Sequence, residues 1–62
     1  MLAGEFIKMT MDTPVKVRDR QTGKFLTERK DYENREVIGY YGRAHRFGNP
    51  GKMRAEIVVF VR

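Results

Sequence analysis

Residues 36–62 read EVIGYYGRAHRFGNPGKMRAEIVVFVR, and this stretch decides the fold. At its centre is GNPG, residues 48–51, in which proline fixes φ and glycine supplies a positive φ, as a tight turn requires. The flanking segments VIGYY (37–41) and IVVFV (57–61) are rich in β-branched and aromatic residues, which favour strands. The stretch therefore predicts a long β-hairpin.

The length of the loop determines which residues face each other across this hairpin. A four-residue loop predicts three cross-strand pairs: Phe47 with Lys52, Arg43 with Glu56, and Tyr40 with Val59. A two-residue loop at positions 50–51 shifts the partners by two and keeps every side chain on its face. A three-residue loop with a bulge moves one strand's side chains to the opposite face. The opposite charges of Arg43 and Glu56 favour the four-residue register.

Alternation of side chains gives the predicted hairpin two unlike faces. The first is almost wholly apolar and is predicted to be the core face: Ile38, Tyr40, Gly42, Ala44, Met53, Ala55, Ile57, Val59 and Val61. The second is cationic with interleaved aromatic rings: Val37, Tyr41, Arg43, His45, Phe47, Lys52, Arg54, Glu56, Val58, Phe60 and Arg62. This contrast is the basis of the functional prediction.

A shorter hairpin is predicted upstream, from residues 15–19 and 24–28 around the turn RQTG at 20–23. Gly23 suits the left-handed position that closes such a loop. The four-residue register gives two pairs: Asp19 with Lys24, and Val17 with Leu26. The same division into faces follows: Val15, Val17 and Leu26 toward the core, and Lys16, Arg18 and Phe25 on the other side.

The remaining segments complete the predicted fold. Residues 29–35 carry opposite charges at i,i+4 spacing and predict a short helix or a structured loop. Residues 1–8 are open to two interpretations: an added or flexible leader, or a further strand over residues 6–9. We expect residues 1–62 to form one all-β domain. It is predicted to be a small antiparallel meander or an SH3-like or OB-like barrel of four or five strands, with one short helical turn near residues 29–35, or an open sheet completed by dimerisation.

The charge balance indicates the class of partner. Thirteen Lys and Arg against eight Asp and Glu give a net charge of +5, which favours binding to polyanions. No apolar run approaches the roughly 18 residues of a membrane-spanning helix, and no membrane partner is expected. The first residues lack the features of a signal peptide. A cytoplasmic location is therefore the expectation.

The residues that are missing argue against enzyme chemistry. The chain has no serine, no cysteine and one histidine, His45, so a Ser-His-Asp or Cys-His arrangement cannot form within it. Disulfides and thiolate zinc ligation are excluded as well. The acidic residues at positions 31, 33 and 36 alternate with basic ones, which is typical of a self-neutralised surface loop. We predict no catalytic residue, no metal and no cofactor.

The basic-aromatic face predicts a nucleic-acid-binding site. Single strands are held by aromatic rings that stack on bases while Lys and Arg contact phosphates, and RNA-binding sheets expose aromatic residues for this purpose. We expect single-stranded RNA or DNA, rather than duplex, with low sequence specificity. The predicted site residues are Lys16, Arg18, Phe25, Tyr41, Arg43, His45, Phe47, Lys52 and Arg54.

A competing interpretation makes Tyr41, Val58 and Phe60 a second apolar core. The chain is then a protein-interaction module, such as an inhibitor or adaptor that binds an acidic protein surface, or a homodimer joined through the C-terminal strand. A short basic β-protein with tight turns and no nucleophile resembles small phage or mobile-element proteins and barrel-type nucleic-acid binders. The aromatic signatures of ribonucleoprotein and cold-shock domains are missing.

Overall fold

The computed structural model describes residues 1–10, 12–48 and 51–62, with the side chains of all of them except His45 and Phe47. These residues form six elements: α1 (Ala3–Thr10), β1 (Val15–Asp19), β2 (Phe25–Leu26), α2 (Arg29–Tyr32), β3 (Val37–Phe47) and β4 (Lys52–Val61). The four strands make one sheet in the order β2-β1-β4-β3. The expected mainly-β fold is confirmed, but the sheet is open over the described residues, so the predicted barrel is wrong.

The strand order also differs from the predicted antiparallel meander. β1 pairs with β4 in parallel, whereas β1–β2 and β3–β4 are antiparallel. β4 therefore lies in the interior of the sheet, and its residues 57–61 have a strand on each side. A continuous apolar run such as IVVFV is typical of an interior strand that neighbours a parallel one. Both edges of β4 are occupied over residues 57–61, so this segment offers no free edge to a second copy of the chain.

The long hairpin has the four-residue register that the sequence favours. Three pairs are confirmed: Phe47 with Lys52, Arg43 with Glu56, and Tyr40 with Val59. The faces are reversed at its start, because an irregularity between Val37 and Gly39 shifts the register at Ile38. Val37 packs against the core, and Ile38 is 42% exposed. Gly48 has φ +80°, whereas Asn49 and Pro50 of the predicted turn lie outside the described residues.

The shorter hairpin is confirmed in register and in turn chemistry. Val17 pairs with Leu26, and Gly23 has φ +77°, the left-handed conformation that glycine tolerates. The carboxylate of Asp19 accepts a hydrogen bond of 2.9 Å from the Arg35 guanidinium. It also accepts bonds from the backbone N–H groups of residues 21 and 22, at 2.8 and 3.2 Å. The Arg35 bond, followed by these two backbone bonds, lowers the pKa of Asp19 below its ordinary value of 3.8.

Residues 3–10 form α1, so of the two interpretations of this region the strand over residues 6–9 is wrong. Ala3, Phe6 and Ile7 lie at the i, i+3, i+4 spacing of an apolar helix face. Ala3 is completely buried, and the two larger side chains pack around the core. In the sequence, the four residues 6–9 are too short a segment to distinguish a strand from a short helix.

The start of α1 is held by the connection that follows α2. The N–H of Ala3 donates to the carbonyl oxygen of Arg35 at 2.9 Å, and the N–H of Gly4 donates to the carbonyl oxygen of Glu33 at 3.0 Å. These bonds satisfy amides that have no partner within a helix. The absence of a side chain at Gly4 permits this approach, since a Cβ there would lie 3.1 Å from the Glu33 oxygen.

Both helices cover the same face of the sheet. The buried core is made by Ala3, Val17, Val59 and Val61, and the side chains packed around it are Phe6, Ile7, Val15, Leu26, Tyr32, Val37 and Ile57. The predicted helical turn in residues 29–35 is confirmed as α2. Neither of the described helices is long and apolar enough to cross a membrane.

Candidate nucleic-acid interface

The sheet surface opposite the helices carries side chains from all four strands. We call this surface the outer face: Lys16, Arg18, Phe25, Tyr41, Arg43, Glu56, Val58 and Phe60. The strand registers align these residues in three rows: Phe25-Arg18-Phe60, Lys16-Val58-Tyr41, and Glu56-Arg43. Residues from the two hairpins, separated by up to 44 positions between 16 and 60, become neighbours because β1 pairs in parallel with β4.

One end of the outer face is a ring with two cations beside it. Phe25 on β2 is 46% exposed. The Nζ of Lys16 lies 5.8 Å from the ring centroid, and the Cζ of Arg18 lies 5.4 Å from it. Both distances are within the range of cation–π attraction. The Nε of Arg18 also donates to the carbonyl oxygen of Gly23 at 2.8 Å, which holds the guanidinium near the turn.

The other end of the outer face is a pair of rings. The centroids of Tyr41 and Phe60 are 5.7 Å apart with an interplanar angle of 33°. Tyr41 is 40% exposed, and Phe60 is half-buried. Val58, between the two ends, is completely buried. The interpretation of these three residues as a second core is therefore correct for Val58, while the Tyr41 ring remains accessible.

Glu56 organises the charges of the outer face. Its residue exposure is only 7%. One carboxylate oxygen accepts a hydrogen bond from Arg43, and the other lies 4.0 Å from the Nζ of Lys16. A buried carboxylate requires such partners because desolvation of an unpaired charge is costly. In the sequence, Glu56 indicates only the register of the long hairpin, and its position beside two cations follows from the pairing of β1 with β4.

Five of the predicted site residues come together on this surface: Lys16, Arg18, Phe25, Tyr41 and Arg43. Lys52 and Arg54 lie farther along β4, where it pairs only with β3 among the described residues. The backbones of His45 and Phe47 pair with these two residues, but their side chains are outside the described part of the chain. Phe60 and Glu56, which were not predicted as site residues, belong to the same surface.

Comparison with protein-family models, with curated proteins and with solved structures gave no match. The chemistry of the outer face is therefore the basis for a functional assignment. Within the described part of the chain, no three His, Asp or Glu side chains are grouped in a way that could hold a metal ion.

A groove of about 380 Å³ opens beside the exposed ring of Phe25. It forms because β2 contains only two residues and pairs with Val17 and Arg18, so the start of β1 has no partner from β2. The lining residues are Val15, Lys16, Val17, Phe25, Leu26, Thr27 and Tyr32. The groove combines an apolar wall with the ammonium group of Lys16 and two hydroxyl-bearing residues, Thr27 and Tyr32.

Proposed function

We propose that this protein is a non-enzymatic module that binds single-stranded RNA or DNA on its outer face with low sequence specificity. The observation that supports this most directly is the arrangement of exposed rings and cations on one sheet surface. Phe25 and Tyr41 lie on opposite edge strands of the sheet, and Lys16, Arg18 and Arg43 lie beside or between them. An aromatic ring offers every base a stacking surface, and cations at intervals suit a phosphate backbone.

The spacing of the rings suits an extended strand of nucleotides. Phe25 and Tyr41 are separated by three strand-to-strand steps, which amounts to roughly 14 Å at the usual strand spacing. A chain that crosses the sheet would place one base on each ring and phosphates near Arg18 and Lys16. The groove beside Phe25 offers an apolar recess to the base at that end.

The ion pairs of Glu56 define how phosphate would bind. Arg43 and Lys16 already interact with this carboxylate, so a phosphate would share or replace it as their partner. Affinity would then come from neutralised phosphates and released counterions, and would fall as salt rises. Stacking on Phe25 and Tyr41 would supply a part of the affinity that depends less on salt.

The test compares two neighbouring tyrosines. Tyr41→Ala removes a ring from the outer face, whereas Tyr40→Ala removes one that is 65% exposed and contacts Phe6 on the helix side. We expect Tyr41→Ala and Phe25→Ala each to weaken binding of a mixed-sequence single strand roughly 5- to 150-fold, the equivalent of about 1–3 kcal/mol for one stacked base. Fluorescence anisotropy measures the affinity, and circular dichroism confirms that each variant is folded.

Equal losses for Tyr40→Ala and Tyr41→Ala would contradict the proposal, because they would show no preference for the outer face. So would the absence of binding by the unmodified protein at low salt. The chain has a net charge of +5. If it failed to bind under those conditions, its cations would serve another interaction, such as binding to an acidic protein surface.

A second candidate function, a homodimer, is favoured by the exposed edge of β3. β3 has eleven residues and lies at one edge of the sheet. On that edge the described residues pair with it only at its start, where Leu2 bridges Glu36 and the N–H of Val37 donates to Met1. Unpaired edge strands are templates for pairing with another chain. Sedimentation velocity at several concentrations tests this, and a strict monomer would rule the homodimer out.

A further inference from the structure

The distal part of the long hairpin extends beyond the rest of the sheet. β1 pairs with β4 only over residues 57–61, so among the described residues β3 is the only strand beside residues 52–56. We call residues 43–48 and 51–56 the arm. It is a two-stranded ribbon that continues from the body of the protein, and the cross-strand pair of Arg43 and Glu56 is its first rung.

The arm is long relative to so small a protein. It contains five cross-strand pairs, from Arg43–Glu56 to Phe47–Lys52. At about 3.3 Å per residue, these pairs make a ribbon roughly 16 Å long. The molecule measures 39 Å along its longest axis and 24 and 19 Å along the others.

One side of the arm is not covered by any other described element, and the arm as a whole is cationic. Ala44 and Ala55 are exposed, and Met53 is 62% exposed, so this side of the arm has little cover. The charged residues of the arm are four cations and one acid: Arg43, Arg46, Lys52, Arg54 and Glu56. An isolated two-stranded ribbon is marginally stable in water, so a polyanionic partner would stabilise it as well as match its charge.

We propose that the arm enters the major groove of B-form DNA. That groove is about 12 Å wide and 8.5 Å deep and admits a two-stranded β-ribbon. The arm is long enough to reach its floor while the body remains at the phosphate backbone. Arg46 and Lys52, both exposed and near the tip, would contact phosphates or base edges on entry.

Helix geometry favours DNA over RNA as the duplex partner. The major groove of A-form RNA is deep and too narrow for side chains to read. A two-stranded ribbon is wider than a single side chain, so the narrow A-form groove excludes it sterically. The arm therefore distinguishes two duplexes that carry similar charge.

The outer face and the arm meet at the row of Arg43 and Glu56, so one ligand can contact both. The substrate class that follows is a DNA duplex that continues into a single strand. The duplex part of this substrate depends on the arm, and only the single-stranded part rests on the proposed function of the outer face. The two parts can therefore fail separately.

The experiment measures affinity by fluorescence anisotropy for four probes. These are a blunt DNA duplex, an RNA duplex of the same sequence, one DNA strand alone, and the DNA duplex with an unpaired extension. The variant Arg46→Ala with Lys52→Ala should weaken binding of the blunt DNA duplex about tenfold and reduce its salt slope by about 2. Single-strand affinity should fall by a smaller factor than duplex affinity, because the rings and cations of the outer face are intact.

The matched control is Arg29→Ala with Lys30→Ala. It removes the same charge from exposed positions on α2, away from the arm. If it weakens duplex binding as much as the arm variant, general electrostatics explains the affinity and the proposal fails. Equal affinity for the RNA and DNA duplexes would also overturn it.

The two remaining measurements separate the arm from the outer face. The duplex with an extension should bind at least about tenfold more tightly than either the blunt duplex or the single strand, since its parts are held together. If the duplex with an extension binds no more tightly than the blunt duplex, the proposal that one ligand contacts both the arm and the outer face is wrong. Tyr41→Ala should weaken only the single-stranded contribution. If it has no effect while the arm variant still weakens the blunt duplex, the proposed function of the outer face fails and the arm proposal stands.

Discussion

β4 crosses two regions of the molecule that differ sharply in burial. In the body, Val58, Val59 and Val61 are completely buried. In the arm, Met53 and Ala55 of the same strand are exposed, although alternation places them on the same side as Val59. The difference arises because β1 reaches only to Ile57. A strand's apolar face becomes core only where other elements cover it.

Glu56 lies at the boundary between these regions. It belongs to the first rung of the arm and is still buried, and its ion pairs join β3 to β4 and reach β1 through Lys16. The body is thus held by apolar packing, while its junction with the arm is held by charge. Four predictions test this contrast, in order of their expected effect on stability.

The largest effect is expected within the body. Val59→Ala removes two methyl groups from a fully buried site and should lower the free energy of unfolding by about 2 kcal/mol. Met53→Ala on the same strand should change it by less than about 0.5 kcal/mol, because that side chain is mainly in solvent. Urea unfolding of both variants measures the difference. Similar losses would show that the arm is packed as tightly as the body.

The next effect is expected at the boundary. Glu56→Gln weakens the hydrogen bond with Arg43 and leaves two cations without a carboxylate, so we expect a loss of about 1 kcal/mol in stability. Binding of single-stranded nucleic acid should improve by roughly twofold to tenfold, because a competing negative charge is gone. Glu28→Gln removes the same charge from an exposed position near α2. If that control improves binding equally, the charge at position 56 has no special role.

A smaller, pH-dependent effect is expected at Asp19. Its pKa is lower in the folded protein than its ordinary value of 3.8. The carboxylate therefore stabilises the fold above that value, and the stabilisation is lost as pH falls through the folded pKa. Asp19→Asn should melt at a lower temperature than the unmodified protein at neutral pH, and the gap should narrow below about pH 3.8.

Thermal melts by circular dichroism from pH 3 to pH 7 would test this, with Asp31→Asn on exposed α2 as the control. A gap between the unmodified protein and Asp19→Asn that did not depend on pH would mean that the ion pair with Arg35 does not contribute.

The smallest effect on stability is expected from shortening the arm. Residues 45–54 can be replaced by Asn-Gly, a two-residue turn that closes a hairpin between Ala44 and Ala55. Because the arm adds little buried apolar surface, the free energy of unfolding should change by less than about 1 kcal/mol. Duplex DNA affinity should fall at least about tenfold. A stability loss as large as that of Val59→Ala would show that the body depends on the arm.

Local patterns predicted much of the structure because they depend on neighbours in sequence. The turn residues and the opposite charges of Arg43 and Glu56 gave the correct register for the long hairpin. Gly23 marked the turn of the shorter one. Alternation then placed Lys16, Arg18 and Phe25 on the side away from the core, where the structure has them. These inferences needed only the period of a strand and the chemistry of turns.

Other features depended on contacts between distant parts of the chain. The irregularity at Ile38 exchanged the faces of Val37 and Ile38 relative to the regular strand that alternation predicts. Residues 3–10 form a helix rather than a strand because the apolar face of this helix packs in the core with Val59 and Val61. Its N-terminal amides also donate hydrogen bonds to the carbonyl oxygens of Glu33 and Arg35. The parallel pairing of β1 with β4 replaced the simpler meander and left the sheet open.

The sequence by itself determined the two hairpins, the division of their faces and the basic character of one of them, because these follow from turn residues and strand alternation. The tertiary structure decided that both hairpins share one outer face, that α1 covers the other face, and that packing stops at Ile57. These outcomes follow from the burial of apolar surface between segments far apart in the chain, which no local pattern specifies.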